Sequence, residues 1–298
     1  MTSGMKRRTQ RNTHLALATL VVGICTACGD DDDLMGMDSG DPSGATTSNG
    51  DDGDPSAGAG TAPSTAGDGD TSDGDALSDD FDDPGSLSAW TLREDVDGGP
   101  GNWDVLEIRD GRLRLRPTAS GWYGNYVGPM LFKQIRGDFV VETSVRAAGL
   151  ADPETPPSQL FNAGGLIVRD PGSRDGAQNW ITHNVGRQQP EVGTEGKTTQ
   201  GSESHLELRD GVHHGVLRIC RVGSTFVLAR RLGNEMSLHE THRFERGDLP
   251  ETVQVGMMAN GWNSADADPD TSVDPDVEVT FDYVRFWEPE DESDCLAQ

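Results

Sequence analysis

Apolar and polar residues alternate with a period of two through residues 80–298, and no segment there carries a sustained apolar stripe at helical spacing. Leu106 and Ile108 alternate with Glu107 and Arg109; Asp110-Gly111 then reads as a hairpin turn, and Leu113 and Leu115 alternate with Arg112, Arg114 and Arg116. Phe139, Val141, Thr143 and Val145 define one face of a long strand, and the nearly unbroken apolar run 164–168 predicts a central strand buried on both sides. Further strands are expected at 180–185, at Leu206 and Leu208 before a second Asp-Gly turn (Asp210-Gly211), at 216–222, 226–228 and 253–257. In a further and longest strand at the end of the chain, Val277, Val279, Phe281 and Tyr283 are expected to share a face against Thr280, Asp282, Val284 and Phe286. About ten to thirteen strands in one unit mean an all-β, two-sheet antiparallel β-sandwich.

The residues before this unit are of another kind. Lys6, Arg7, Arg8 and Arg11 precede an apolar stretch at 15–27, too short to span a bilayer but fitting a secretory signal. It ends Cys25-Thr26-Ala27-Cys28, which resembles the lipobox of bacterial lipoproteins, departing from it in having Cys25 where an aliphatic residue is usual. The resemblance implies signal peptide 1–28, with Cys28 as the lipid-bearing residue; an ordinary signal cut nearby is the alternative. Residues 29–79 hold 14 aspartates, no Lys, Arg or Glu, and almost no large apolar side chain. Such a segment cannot build a core and is expected to be a disordered, self-repelling linker. The chain would then sit in the bacterial cell envelope, held to the membrane through its lipid, with residues 80–298 as the folded domain.

Charge narrows the partners. Against 24 basic residues stand 51 acidic ones, a net −27, and residues 80–298 alone carry 20 basic and 37 acidic side chains. Nucleic acid and anionic lipid surfaces repel such a chain. No apolar run reaches 18 residues, so no spanning helix is expected.

The segments GDFVVETSVRA, NAGGLIVRDPGSRDGAQNWI, GVLRICRVGSTFVLARR, VQVGMMANG and VTFDYVRFW resemble the concanavalin A-like lectin/glucanase superfamily, over about residues 79–288. The resemblance implies a jelly roll, and these are mainly fold motifs. Retaining glucanases of that fold place two carboxylates on one strand face in an E-x-D-x-x-E pattern, and this spacing is absent here. Glu142 and Glu278 sit on strands, either as solvated carboxylates or as half of an unrecognised acid pair. No G-x-S-x-G, P-loop or H-E-x-x-H pattern occurs; His239 and His242 have the wrong spacing, and His213-His214 reads as solvated. Asp266, Asp268, Asp270 and Asp274 crowd a loop before the last strand, as hard oxygen ligands for a structural calcium or as a plain acidic loop. The superfamily resemblance implies Asp80, Asp82 and Asp83 as N-terminal counterparts.

Cys220 and Cys295 remain once the signal cysteines are set aside, and in an exported chain an even pair reads as a disulfide, the alternative being two unrelated thiols. Sugar recognition calls for flat aromatic rings with amides and acids around them. Trp122, Tyr123 and Tyr126 lie in a glycine-flanked loop, Trp262 and Asn263 in another, and Trp180 and His183 on the Asn-Trp strand, where a concave sheet face could present them. Glycines are expected to expose such rings; plugging of the sandwich edges is the alternative. The expected function is a non-catalytic, membrane-tethered, monomeric module binding a neutral glycan. A polysaccharide hydrolase or lyase, or a structural envelope lipoprotein without a small ligand, are the other readings.

Overall fold

The structure is a computed structural model that describes residues 76–188, 190–262 and 274–297. Cys28, residues 29–75 of the expected linker, Asn263, Asp266, Asp268 and Asp270 lie outside the described residues. The last linker residues, 76–79, are described and join the domain: Asp79 exchanges backbone hydrogen bonds with Val284 and accepts from the Trp90 indole nitrogen at 3.0 Å. Fourteen strands occur among the described residues: β1 (Thr91–Leu92), β2 (Trp103–Ile108), β3 (Leu113–Pro117), β4 (Met130–Arg136), β5 (Phe139–Gly149), β6 (Asn162–Arg169), β7 (Trp180–Arg187), β8 (Val192–Gln200), β9 (Glu203–Asp210), β10 (His214–Val222), β11 (Thr225–Leu232), β12 (His239–Glu245), β13 (Thr252–Gly261) and β14 (Val277–Trp287). Helix is confined to short pieces such as α1 (Arg93–Asp97) and a 3-10 turn at Glu292–Cys295.

Two seven-stranded sheets result. The first runs β1-β4-β13-β6-β7-β8-β9 and the second β12-β11-β10-β5-β14-β3-β2. The alternating side chains build one core cluster, with Leu166, Val168, Ile181 and Val185 from the first sheet and Leu217, Ile219, Val279 and Phe281 from the second. Full burial of each such side chain contributes about 1.5–3 kcal/mol, which is what holds the sheets face to face. As expected, every residue of β6 is buried. Asp110 and Gly111 both take positive φ (55° and 70°), the conformation a two-residue hairpin requires.

Three expectations are corrected. Asp210-Gly211 does not make a hairpin: it carries the chain from β9, at the edge of the first sheet, to β10 in the second. In β14 a bulge between Phe281 and Tyr283 breaks the alternation, so that Val284 and Phe286 join Phe281 in the core and Tyr283 does not. Four strands, β1, β4, β8 and β12, add to the ten named from alternation.

Candidate functional site

The outer face of the first sheet gathers the polar and aromatic residues of interest. Pairing of β7 with β8 places Trp180 beside Thr199, Thr182 beside Lys197 and Asn184 beside Glu195. Since side chains alternate along a strand, these six share one face, and His183 takes the other. His183 is enclosed between the sheets, its ring nitrogens 3.3 Å from the Glu195 carbonyl and 3.2 Å from that of Ala229 on the second sheet. Burial lowers its pKa to about 3, with His242 adding to the effect. His183 therefore packs inside the sandwich, on the opposite face of the sheet from Trp180.

The loop between β3 and β4 crosses this face. Trp122 is 1% exposed and Trp180 fully buried, their rings edge-to-face at 5.8 Å. The expectation that glycines expose Trp122 is corrected: they let the loop sink. A Cβ on Gly121 would come within 2.8 Å of Asn260 Oδ1 and 3.1 Å of the Trp262 ring, and one on Gly128 within 2.7 Å of the Trp122 indole nitrogen. Close approach, rather than ring display, is what these two glycines permit. Tyr123 (54% exposed) and Tyr126 (60%) stay outside, joined by a pair of backbone hydrogen bonds. The half-buried Trp262 lies edge-on to Tyr126 at 5.0 Å. The loop is fixed by Gly124 N donating to Ser204 Oγ (2.8 Å), while Asn125 Oδ1 accepts from Ser202 Oγ (2.6 Å) and Gly176 N (2.8 Å).

Beneath the loop lies a buried polar cluster that alternation did not reveal. Lys197 Nζ is 2.7 Å from Glu195 Oε1 and donates to the Trp122 carbonyl at 2.8 Å. Asn184 Nδ2 donates to Glu195 Oε1 (3.2 Å), and Gln188 Nε2 donates to Asn184 Oδ1. The Glu195 and Lys197 side chains are only 1% and 5% exposed. Glu195 Oε2, Thr182 Oγ1 and Gln188 Oε1 are buried without a hydrogen-bond partner among the described residues. Buried oxygens in that state are costly. The one signal for Glu195 and Lys197 was a Glu and a Lys two residues apart on a stretch with hardly any apolar residue.

The two strand carboxylates singled out from the sequence, Glu142 and Glu278, are committed to arginines on the outer face of the second sheet. Glu142 pairs with Arg218 at 2.6 Å, and Glu278 with Arg114 (2.8 Å) and Arg116 (2.9 Å). Asp80 is held by Arg285, Asp83 accepts from Gly85 N, and Asp274 is exposed. Among the described residues no three of His, Cys, Asp or Glu gather as metal ligands would.

No family model and no curated protein matches the sequence. Solved structures do match. A functionally unknown protein from Saccharomyces cerevisiae is 14% identical, with 69% of this chain and 99% of that one covered, at a TM-score of 0.50. A xylan beta-1,4-xylosidase from Bacillus halodurans C-125 is 18% identical over 71% of this chain, TM-score 0.51. The GH43B protein of a Bacteroides ovatus xyloglucan PUL is 14% identical over 72%, TM-score 0.50. The fold is the concanavalin A-like jelly roll. This chain spans 39% of the length of each of the latter two proteins, so the jelly roll corresponds to one part of each. At these identities the likeness extends to the fold alone.

Proposed function

We propose that this chain is an exported, lipid-anchored envelope protein whose jelly roll binds a neutral glycan without cleaving it. The observation that carries the reading is the aromatic group of exposed Tyr123 and Tyr126, on a loop pinned over a buried polar cluster, with the half-buried Trp262 beside them after β13. Rings of this kind accept the apolar faces of pyranoses, and the nearby amides and hydroxyls orient sugar hydroxyls. The structural neighbours with a sugar polymer in their names lend support at the level of the fold. Cleavage by the usual two-carboxylate route needs a second acid about 5–9.5 Å from the first. Glu142, Glu195 and Glu278 are instead each paired with a lysine or arginine. The membrane tether rests on the Cys25-Thr26-Ala27-Cys28 sequence, and Cys28→Ala is expected to release the protein from membranes.

The test is titration with neutral xylo- and gluco-oligosaccharides, followed by Trp fluorescence. Millimolar to micromolar binding is expected, with Tyr126→Ala and Trp262→Ala each weakening it about tenfold, the equivalent of one ring contact of about 1–1.5 kcal/mol. Wild-type affinity in both variants would make these rings structural. Release of reducing ends from the same oligosaccharides, lost in Glu195→Gln, would instead establish the hydrolase.

A further inference from the structure

The outer face of the second sheet carries a lattice of arginines, almost all of them balanced. Arg114 and Arg116 meet Glu278, Arg218 meets Glu142, Arg285 meets Asp80, Arg112 meets Asp282 at 2.7 Å and Arg243 meets Glu292 at 2.7 Å. Among the described residues of that face, Arg231 is the exception: its side chain is half-buried and makes no hydrogen bond or ion pair with any described residue, its charge acting on the Tyr283 hydroxyl nearby. It borders a depression of about 300 Å³ that is also lined by Arg112, Arg146, His214, Thr280 and Asp282. Arg146 is only loosely engaged, at 3.3 Å from the Pro153 carbonyl and 3.5 Å from Glu154, whose side chain is 80% exposed. Against the expectation of a solvated ring, His214 Nδ1 is buried without a hydrogen-bond partner among the described residues, and the ring lies edge-on to His213 at 5.1 Å.

The fold builds this arrangement. Register places Arg231 opposite Val216, Val216 opposite Ser144, and both His214 and Thr280 opposite Arg146, so four adjacent strands contribute to one patch. The β14 bulge falls at Asp282, which would otherwise continue the alternation past Phe281. There Asp282 Oδ2 accepts from Ser144 Oγ at 2.7 Å, and its Oδ1 is held by Arg112. Each carboxylate oxygen keeps a free lone pair. Three guanidiniums against one lining carboxylate make a cationic island in a domain with 20 basic and 37 acidic residues. At physiological ionic strength charges beyond about 8 Å are screened, so a ligand in the depression responds to the island and not to the net charge.

We propose that this depression is a second binding site, for a sugar unit bearing a carboxylate, with Arg231 and Arg146 taking the carboxylate and Asp282 and Thr280 taking ring hydroxyls. Arginine presents paired N–H donors that match a carboxylate's two oxygens. Asp282 tips the choice toward a sugar acid: a carboxylate in the lining repels a dense anion such as phosphate but accepts protons from hydroxyls. The site lies on the opposite sheet from the aromatic group, so it stands or falls independently of the neutral-glycan reading.

The test is calorimetric titration of the purified full chain with D-glucuronate and D-galacturonate, against D-glucose, D-galactose and inorganic phosphate. A uronate is expected to bind in the millimolar range, more weakly at high salt, while its neutral counterpart binds at least tenfold more weakly. Arg231→Gln is expected to reduce uronate affinity about tenfold while leaving the melting temperature unchanged, because this side chain makes no hydrogen bond or ion pair with any described residue. Arg146→Gln provides a second variant with the same expected loss, and Tyr126→Ala is expected to leave uronate binding intact. Phosphate binding as tight as uronate would overturn the sugar assignment in favour of a simple anion site. Uronate binding unaffected by Arg231→Gln, or absent at tens of millimolar, would overturn the site itself.

Discussion

Burial of a single imidazole gives this molecule an acid-sensitive point. The unfolded chain takes up a proton on His183 below a pH of about 6.5, whereas the folded one, with a pKa lowered to about 3 by burial, does not. Between those values the unfolded state holds more protons, so stability falls as pH drops through that window, by up to about 1.4 kcal/mol per pH unit. His242 is shifted the same way, again mainly by burial. His183→Gln is therefore expected to flatten the pH dependence of the unfolding free energy between about pH 4 and 6, by close to one proton. Denaturant melts at several pH values measure this, and an unchanged slope would show that His183 does not set it. The separation of His183 from Trp180 was legible in the sequence, since odd and even positions of one strand face opposite ways. The burial of Trp122 was not: it depends on how closely Gly121 and Gly128 approach Asn260, Trp262 and the indole itself, contacts that local pattern does not encode.

Among the elements, β8 explains why the most polar part of the site escaped sequence reading. Its residues, VGTEGKTTQ, contain one apolar side chain larger than glycine, so the period-two signal that marks the other strands is missing. Both of its faces are nonetheless enclosed: Gly196 packs against the His242 ring on one side, while Glu195 and Lys197 lie beneath the Trp122 loop on the other. A strand whose buried faces are polar or bare has no hydrophobic alternation to display, and here that coincides with the unsatisfied oxygens. β4 and β14 err differently, the first through a short mixed pattern and the second through a bulge. The pairing of Glu195 with Lys197 makes a definite energetic prediction. Lys197→Met leaves a buried carboxylate without its counter-charge and is expected to cost about 3–5 kcal/mol. Glu195→Met added to Lys197→Met removes the charge as well and is expected to restore most of that loss, so denaturation midpoints of the two variants should differ in that order. Equal midpoints would mean that water reaches the carboxylate.

Across the whole molecule, fold class was legible and strand order was not. Period-two patterning says that each segment is a strand with one face inward, which is enough for a sandwich. It does not say that β13 lies between β4 and β6, or β5 between β10 and β14, because those pairings join segments far apart in sequence. One long-range link was readable by parity: Cys220 and Cys295 are bonded, closing 75 residues of chain. The bridge ties the C-terminal turn to β10 within a small apolar cluster containing Val140 and Val227. Arg218 supports the same attachment, donating from Nη1 to the carbonyls of Cys295 (3.1 Å) and Ala297 (2.7 Å) while it pairs with Glu142. A cross-link of this loop length stabilises chiefly by restricting the unfolded chain, by about 2–4 kcal/mol. The double variant Cys220→Ala/Cys295→Ala is thus expected to lose that amount in denaturant unfolding, with its β-sheet circular dichroism unchanged because neither sheet depends on the bridge for pairing. Adding Arg218→Met to it removes the arginine's hold on those carbonyls and leaves Glu142 with the Tyr283 hydroxyl, at 3.0 Å, as its one partner among the described residues. Protease cleavage within the last residues should then become rapid in the triple variant and stay slow in the double one. Rapid cleavage in the double variant would assign the docking of the C-terminus to the disulfide alone.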